Sequence, residues 1–460
     1  MNKIQNFLDS KLYIPIVCII SFAFWLIAFL SKHEVLDIEL ITKVENISLV
    51  VFGIITAILL IFFKNTFYFI PWVIFVPFVF ARPFDALTIP KCIFIGLGLM
   101  AVGLILNIII YKPKFKLGQF FWGLLILCIA FVLGGINVKT DNYVLQLFLT
   151  SLCVVAFLCI YCLIASSTKV KFDEIARLFT YLGIFLVMQL AVFFWIQEDI
   201  FHAFLHKLTN VGWGISNNIA LMLLFTFPFT LYLSFTKKTF MSAIYSVITY
   251  AQIVGIVITY SRGAIIALTI GIVLLIPFVL WKAEDRITLS VSIVLLFVFS
   301  IVFIMQFKNN RPEEYQKIYD IITKIDFDNF NGRTPIYEEC IQALKDYPIF
   351  GKGVLSTFEQ NASGDVVYEW GHSTILQTVR TMGTVGCIAM IIHLVQKYFV
   401  LLKRPTTWKI MVGASFAISG LYGLFDVSYY FINYMIPLIL GMALLESSFK
   451  KLGEDDYEVL

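Results

Sequence analysis

Residues 288–306 read TLSVSIVLLFVFSIVFIMQ, without a single charge. A helix rises 1.5 Å per residue, so a run of this length crosses a hydrocarbon core. Residues 307–373 follow as the one sizeable polar segment of the chain, and the next apolar run opens near 375. Working outward, comparable runs fall at 12–31, 45–63, 66–81, 92–111, 118–136, 143–166, 177–196, 215–235, 240–259, 263–281, 375–397, 409–425 and 429–447. In lipid every backbone polar group must be paired internally, and runs of about 20 residues select helices over barrel strands. The expected fold is all-α: a polytopic transmembrane bundle of about 12–14 spans with one large extracytoplasmic loop containing short helices. The run at 66–81 is short and holds Pro71 and Pro77, so it is a candidate re-entrant segment.

Composition agrees. Sixty per cent hydrophobic residues, 14% charged and a mean hydropathy of +0.89 exclude an ordinary soluble domain, where charge is nearer ~25%. The net charge of +4 says little about partners, because sign matters loop by loop, and no nucleic-acid partner is expected. The eight cysteines fall nearly all in apolar runs, where Cys behaves as a small hydrophobe. Cys159 and Cys162 spell C-x-x-C without the βαβ surroundings of a redox motif. The first run lacks a small-residue cleavage site and is expected to be retained.

Basic residues alternate between connections. Lys112, Lys114 and Lys116, Lys169 and Lys171, Lys237 and Lys238, Lys282 and Arg286, the group Lys397, Lys403, Arg404 and Lys409, and Lys450 and Lys451 fall in one set. The connections 32–44, 137–142, 197–214, 260–262 and 425–428 are poor in Lys and Arg. The positive-inside rule makes the first set cytoplasmic, so both termini lie inside and the 307–373 loop outside. The expected organisation is 1–306 transmembrane helices, 307–374 extracytoplasmic loop, 375–447 transmembrane helices and 448–460 cytoplasmic tail. Within the loop, residues 313–325 suit a short helix. Ile336, Tyr337, Cys340, Ile341, Leu344 and Tyr347 recur at helical spacing as one apolar stripe, ended by Pro348 and Gly351.

The chemistry-bearing candidates gather on the outer side. Tyr260-Ser261-Arg262-Gly263-Ala264 leaves almost no connection between two spans. Arg262 is expected at the hydrocarbon edge, at a helix start that Ser261 can cap. Free amides, the positive dipole end and a guanidinium make an anion site suited to phosphate. An interfacial Arg snorkelling to headgroups fits the same residues. Arg333 follows the turn signal Asn331-Gly332, and is either a phosphate clamp or a solvated loop Arg. His372 precedes a span, where an imidazole can take a proton from an attacking hydroxyl or hydrogen-bond to backbone. Asn218 opens a span after Gly212-Trp213-Gly214, and Asp426 lies between the last two spans. Asn218, Ser261, Tyr260 and Asp426 are substrate-binding candidates. Polar groups at such positions tend to be paired or functional. His202 and His206 have zinc-ligand spacing but no third ligand, and Asp326-Phe327-Asp328 resembles a metal-holding D-x-D yet reads better as a solvated acidic turn. No metal and no cofactor is expected. The spans carry very little mid-membrane charge and the polar candidates cluster at one edge, which disfavours a glycolipid transporter or flippase.

These residues resemble the O-antigen ligase and O-antigen polymerase superfamily of bacterial envelope enzymes. Ser261-Arg262-Gly263-Ala264 looks like the family's S-R-G-A at a span start. Gly332-Arg333-Thr334-Pro335-Ile336-Tyr337, followed by Asp346-Tyr347-Pro348-Ile349-Phe350-Gly351-Lys352-Gly353, is similar to G-R-x-x-x-W and h-P-x-x-G-x-G, with Tyr337 in place of Trp. His372-Ser373 with Leu376, Gln377, Gly383 and Gly386 is similar to H-N-x-x-L-Q followed by G-x-x-G, with Ser373 in place of Asn. Asn218 resembles the Asn of N-x-x-A. The resemblance covers about residues 210–430. It implies an undecaprenyl-pyrophosphate-linked glycan donor and a glycan or lipid-linked acceptor. Membrane lipids and other polysaccharide-assembly membrane proteins follow as partners. It also implies catalysis by Arg262, Arg333 and His372, the arginines stabilising the departing pyrophosphate and the histidine acting as base. Lysine outnumbers arginine and Ile and Phe are abundant, which points to AT-rich coding and an envelope without lipopolysaccharide, hence to a polymerase before a ligase.

Overall fold

The computed structural model describes residues 2–33, 39–81, 91–138, 143–323, 333–360, 366–368 and 370–451. Asp326-Phe327-Asp328, the Asn331-Gly332 turn and the tail from 452 lie outside the described residues. The helices are α1 (Asn2–Leu8), α2 (Tyr13–Lys32), α3 (Glu39–Phe62), α4 (Ile70–Phe75), α5 (Lys91–Tyr111), α6 (Phe121–Leu133), α7 (Tyr143–Ser167), α8 (Phe172–Trp195) and α9 (Ile200–Leu205). They continue with α10 (Ser216–Thr236), α11 (Thr239–Ile258), α12 (Arg262–Lys282), α13 (Arg286–Asn310), α14 (Pro312–Thr323), α15 (Thr334–Asp346), α16 (Thr374–Leu402), α17 (Thr407–Tyr422) and α18 (Ile432–Lys451). Two three-residue strands, β1 (Phe358–Gln360) and β2 (Val366–Tyr368), pair antiparallel between α15 and α16.

Among the described residues, eleven helices are long and apolar enough to cross a membrane. The all-α polytopic bundle is therefore the observed fold. The count falls below the expected fourteen runs for local reasons. Pro71 and Pro77 divide the third run into two 3-10 turns flanking α4, because each ring removes a helical donor. The helices α6 and α17 stop at 13 and 16 residues.

The chain forms two compact units. The first comprises Met1–Lys116, Leu163–Ser300 and Ile436–Tyr457. Close approaches between its helices use small residues: a Cβ on Gly53 would lie 2.8 Å from the Gly96 backbone, and one on Gly103 equally near Ala57. The buried amide of Asn107 donates to the Leu60 and Phe63 carbonyls at 2.7 and 3.2 Å. Asp285 starts α13 by accepting from the Thr288 amide and hydroxyl, and from the Thr239 amide that opens α11.

The second unit comprises Leu117–Cys162, Ile301–Met435 and Glu458–Leu460. Its organising feature is a break in α16 at Gly383, whose φ of 61° is a left-handed value that a side chain would strain. The segment Pro348-Ile349-Phe350-Gly351-Lys352-Gly353 fills the break. The Pro348 and Ile349 carbonyls accept from the Thr384 and Val385 amides at 2.9 and 3.1 Å. The Lys352 and Gly353 amides donate to the Arg380 and Thr381 carbonyls at 2.7 and 2.9 Å. A Cβ on Gly351 would lie 2.5 Å from the Thr381 backbone, so only glycine lets the two chains approach. Backbone groups freed by the kink are thus paired inside the protein, as a membrane setting demands. α15 packs its Cys340 and Ala343 inward, whereas Ile341, assigned to the stripe by spacing, is exposed on its flank.

One expectation needs correction. Lys397 is not at a cytoplasmic connection; it is 2% exposed inside α16. Glu45 of α3 and Arg380 of α16 are also buried charges, and all three lie nearer the ends than the middles of their spans. The neighbouring Lys409 is also buried, and its ammonium donates to the Lys403 carbonyl at 2.8 Å beyond the end of α16.

Candidate functional site

Three of the singled-out residues meet in the second unit. Arg333 is the N-cap of α15, with Thr334-Pro335 opening the helix where proline is tolerated. Its guanidinium donates to the Phe425 carbonyl in the segment between α17 and α18, and among the described residues it makes no other hydrogen bond. That leaves most of its five N–H donors for a ligand. Arg333 is therefore not the freely solvated loop Arg of the alternative reading.

His372 precedes the N-cap of α16 and holds φ at 44°, an uncommon value for a residue with a side chain. Two contacts hold it there. The Gly371 amide donates to Gln377 Oε1 at 2.7 Å, and the Gln377 amide donates to the Ser373 carbonyl at 2.8 Å. His372 Nδ1 is buried and lies 3.5 Å from Asp426 Oδ1, while a third of the side chain (33%) is exposed. An imidazole turned this way offers Nε2 to a substrate.

Asp426 is 5% exposed. Its Oδ1 also accepts from the Val427 amide at 2.8 Å, and its Oδ2 from the Tyr422 hydroxyl at 3.2 Å. Burial pushes this carboxyl up. The contact and charge of His372, the Val427 amide and the Arg333 guanidinium outweigh burial and hold it below its usual 3.8. A buried anion between a histidine and an arginine can orient the imidazole and stabilise its protonated form.

The segment 423–431 ties these groups together. The Thr374 amide donates to the Gly423 carbonyl at 2.7 Å, and the Ser428 amide donates to Thr374 Oγ1 at 3.0 Å. Tyr430 reaches Thr378 and Thr381 of α16 at 3.1 and 2.9 Å. Behind them Arg380, fully buried, pairs with Glu339 of α15 at 3.0 Å and donates to the Ser356 carbonyl at the same distance. This pair clamps the helix that begins at Arg333 to the helix that begins after His372.

The remaining candidates belong to the first unit. Arg262 is the first residue of α12, as expected. Ser261 occupies the N-cap position and is 3% exposed, but its side chain makes no cap hydrogen bond, contrary to the capping expectation. Its backbone is extended, with ψ of 101°. Tyr260 holds φ at 56°. Its buried ring lies between Phe204, at 5.1 Å, and the Lys207 ammonium, at 5.4 Å, and its hydroxyl has no hydrogen-bond partner among the described residues. Asn218 sits in the first turn of α10, its Cβ so near Gly214 that a side chain there would lie 2.9 Å away. The His202 and His206 rings meet tilted, with centroids 4.3 Å apart, and no metal-holding group occurs among the described residues.

Sequence reasoning missed the supporting contacts. Gln377 was visible as part of a motif, but its grip on Gly371 was not. The Arg380–Glu339 pair and the roles of Thr374, Ser428 and Tyr430 had no signal beyond polar residues at span ends.

Residues 247–391 match the protein family described as O-antigen ligase (Wzy_C). The matched segment takes in Arg262, Arg333 and His372, and bears out the resemblance to the O-antigen ligase and polymerase superfamily. It points to glycosyl transfer of that general type by a multi-pass membrane protein acting on lipid-linked glycan. No curated protein matches the chain.

Proposed function

From that match as premise, we propose that this protein polymerises undecaprenyl-pyrophosphate-linked oligosaccharide repeat units at the outer face of the bacterial cytoplasmic membrane. The polymer belongs to the capsule, exopolysaccharide or teichuronic class, and both chain termini are cytoplasmic. His372 Nε2 takes the proton from the acceptor hydroxyl as that oxygen bonds to the anomeric carbon. The bond from that carbon to the pyrophosphate oxygen breaks on the opposite face, and its electron pair leaves with the diphosphate, so configuration inverts. Asp426 holds the imidazole and offsets its new charge. Arg333 meets the departing pyrophosphate, and Arg262, at its own helix start, serves as the second cation. Fixed cations of this kind are worth several kcal/mol at a leaving group without a metal. Asn218, Ser261 and Tyr260 are assigned to substrate binding. The observation that carries the reading is the His372–Asp426 pair beside Arg333, inside and just beyond the matched segment.

The family's description supports a second reading, transfer of the finished glycan to a lipid, wall or protein acceptor. Product analysis separates the two. A polymerase lengthens glycan still attached to lipid pyrophosphate, and a ligase moves glycan to a different carrier. In cells, Arg262→Ala, Arg333→Ala and His372→Ala should each leave protein level unchanged and abolish long-chain glycan. Unchanged glycan in all three would sink the proposal.

A further inference from the structure

Lys397 is a cation that the proposed reaction does not use. A lysine near the end of a span would ordinarily extend its stem and place the ammonium in the headgroup layer. Here the side chain turns inward. Its Nζ donates to the Tyr429 hydroxyl at 2.6 Å and lies 5.1, 5.1 and 5.3 Å from the ring centres of Tyr398, Phe416 and Tyr429. Among the described residues it has no carboxylate partner. His393, 1% exposed on the same helix, places Nε2 3.5 Å from that hydroxyl. An ammonium held only by ring faces and one hydroxyl is a costly arrangement, so a purely apolar residue would serve packing better.

What Lys397 holds explains the cost. Tyr429 belongs to segment 423–431, which carries Asp426 and contacts Arg333, His372 and the start of α16. The Phe425 carbonyl accepts from Arg333, Asp426 faces His372, and Gly423 and Ser428 fix Thr374 at the start of α16. Tyr430 is fastened to Thr378 and Thr381, and Tyr429 is fastened to Lys397. We propose that Lys397 is a positioning residue: through Tyr429 it anchors the 423–431 segment and so sets the placement of Asp426 against His372. The role rests on the reaction proposed above.

The test uses the full-length protein in lipid nanodiscs, with hydrogen exchange of residues 423–431 and turnover of a lipid-pyrophosphate-linked donor as readouts. Lys397→Met keeps stem length and removes the ammonium. Exchange in the segment should rise about tenfold, because opening it no longer breaks the tie. The kcat should fall by about 10- to 100-fold with KM for the donor nearly unchanged, as expected for misplaced rather than missing groups. Tyr429→Phe should reproduce both effects, the double variant should be no worse than either, and Lys397→Arg should recover part of kcat. Tyr429→Phe decides the matter if Lys397→Met does not fold. Wild-type exchange in the segment overturns the proposal, and so does a loosened segment with normal kcat. His372→Ala in the same preparation tests the reaction separately: if it abolishes turnover while Lys397→Met does not, only the anchor fails.

Discussion

Two helix starts in this protein share one local pattern and differ in what surrounds it. At α12 the order is Tyr260, Ser261, helix; at α16 it is His372, Ser373, helix. In both, the aromatic residue takes a positive φ, 56° and 44°, and the serine stands at the N-cap without a side-chain cap bond. Such backbone strain persists only where neighbouring contacts over-determine it. At α16 those contacts are polar and directed: Gln377 grips Gly371, and Asp426 faces His372. Around Tyr260 at α12 the described contacts are a ring and a cation over its own ring, and its hydroxyl has no hydrogen-bond partner among the described residues. One start holds a group at a set angle. The other holds a surface in place. The same local pattern therefore orients an imidazole only at α16, where a second element supplies the partner.

The largest expected effect tests the orienting partner itself. Asp426→Asn removes the charge facing His372 while keeping size, and turnover should fall by about 100-fold, a loss typical of disturbing a group that positions a catalytic one. The variant also has a pH signature. Because the folded carboxyl is held below 3.8, its stabilising contribution is full above that value and is lost as pH falls through the lower folded-state value. Wild type should thus be more stable than Asp426→Asn near neutrality, and acid denaturation curves should converge well below 3.8. Curves that stay parallel throughout would mean the carboxylate gains nothing from its partners. Gln377→Ala weakens the α16 start from the other side, and about a tenfold drop in kcat is expected, with little change in donor affinity. The smallest effect belongs to the contrasting start. Tyr260→Phe deletes a hydroxyl that has no hydrogen-bond partner among the described residues, so stability should change by less than about 0.5 kcal/mol, and the substrate-binding role proposed for Tyr260 should show as a rise in donor KM with kcat near wild type. A tenfold loss of kcat would break the contrast, because it would mean that this start, too, positions a reacting group.

Burial of the spans was not legible from hydropathy. α13 is the most apolar span, with a mean hydropathy of 2.9, yet only 6% of its core window is buried; α10, at 1.8, is 83% buried. Lipid is as apolar as leucine, so hydrophobicity does not draw a helix inward; packing and hydrogen bonds do. α10 is accordingly lined with Thr226, Thr230 and Ser234, and Gln252 of α11 bonds to the first two. For the same reason Lys397 was misread. Its position near the end of an apolar run fits a cytoplasmic lysine, and only the turn of its side chain toward Tyr429 says otherwise.

Membrane class, helical content and most of the spans were legible in the sequence alone, because a bilayer allows a run of that length and polarity only one structure. The residues worth testing were also legible, since Arg333, His372 and Asp426 stand out as ionisable groups beside apolar runs. Their meeting was decided by tertiary structure. It depends on the α16 break at Gly383 being filled by residues 348–353, and on segment 423–431 folding back onto the helix start. These are long-range backbone pairings between distant parts of the chain. Local propensity and hydropathy carry no information about them.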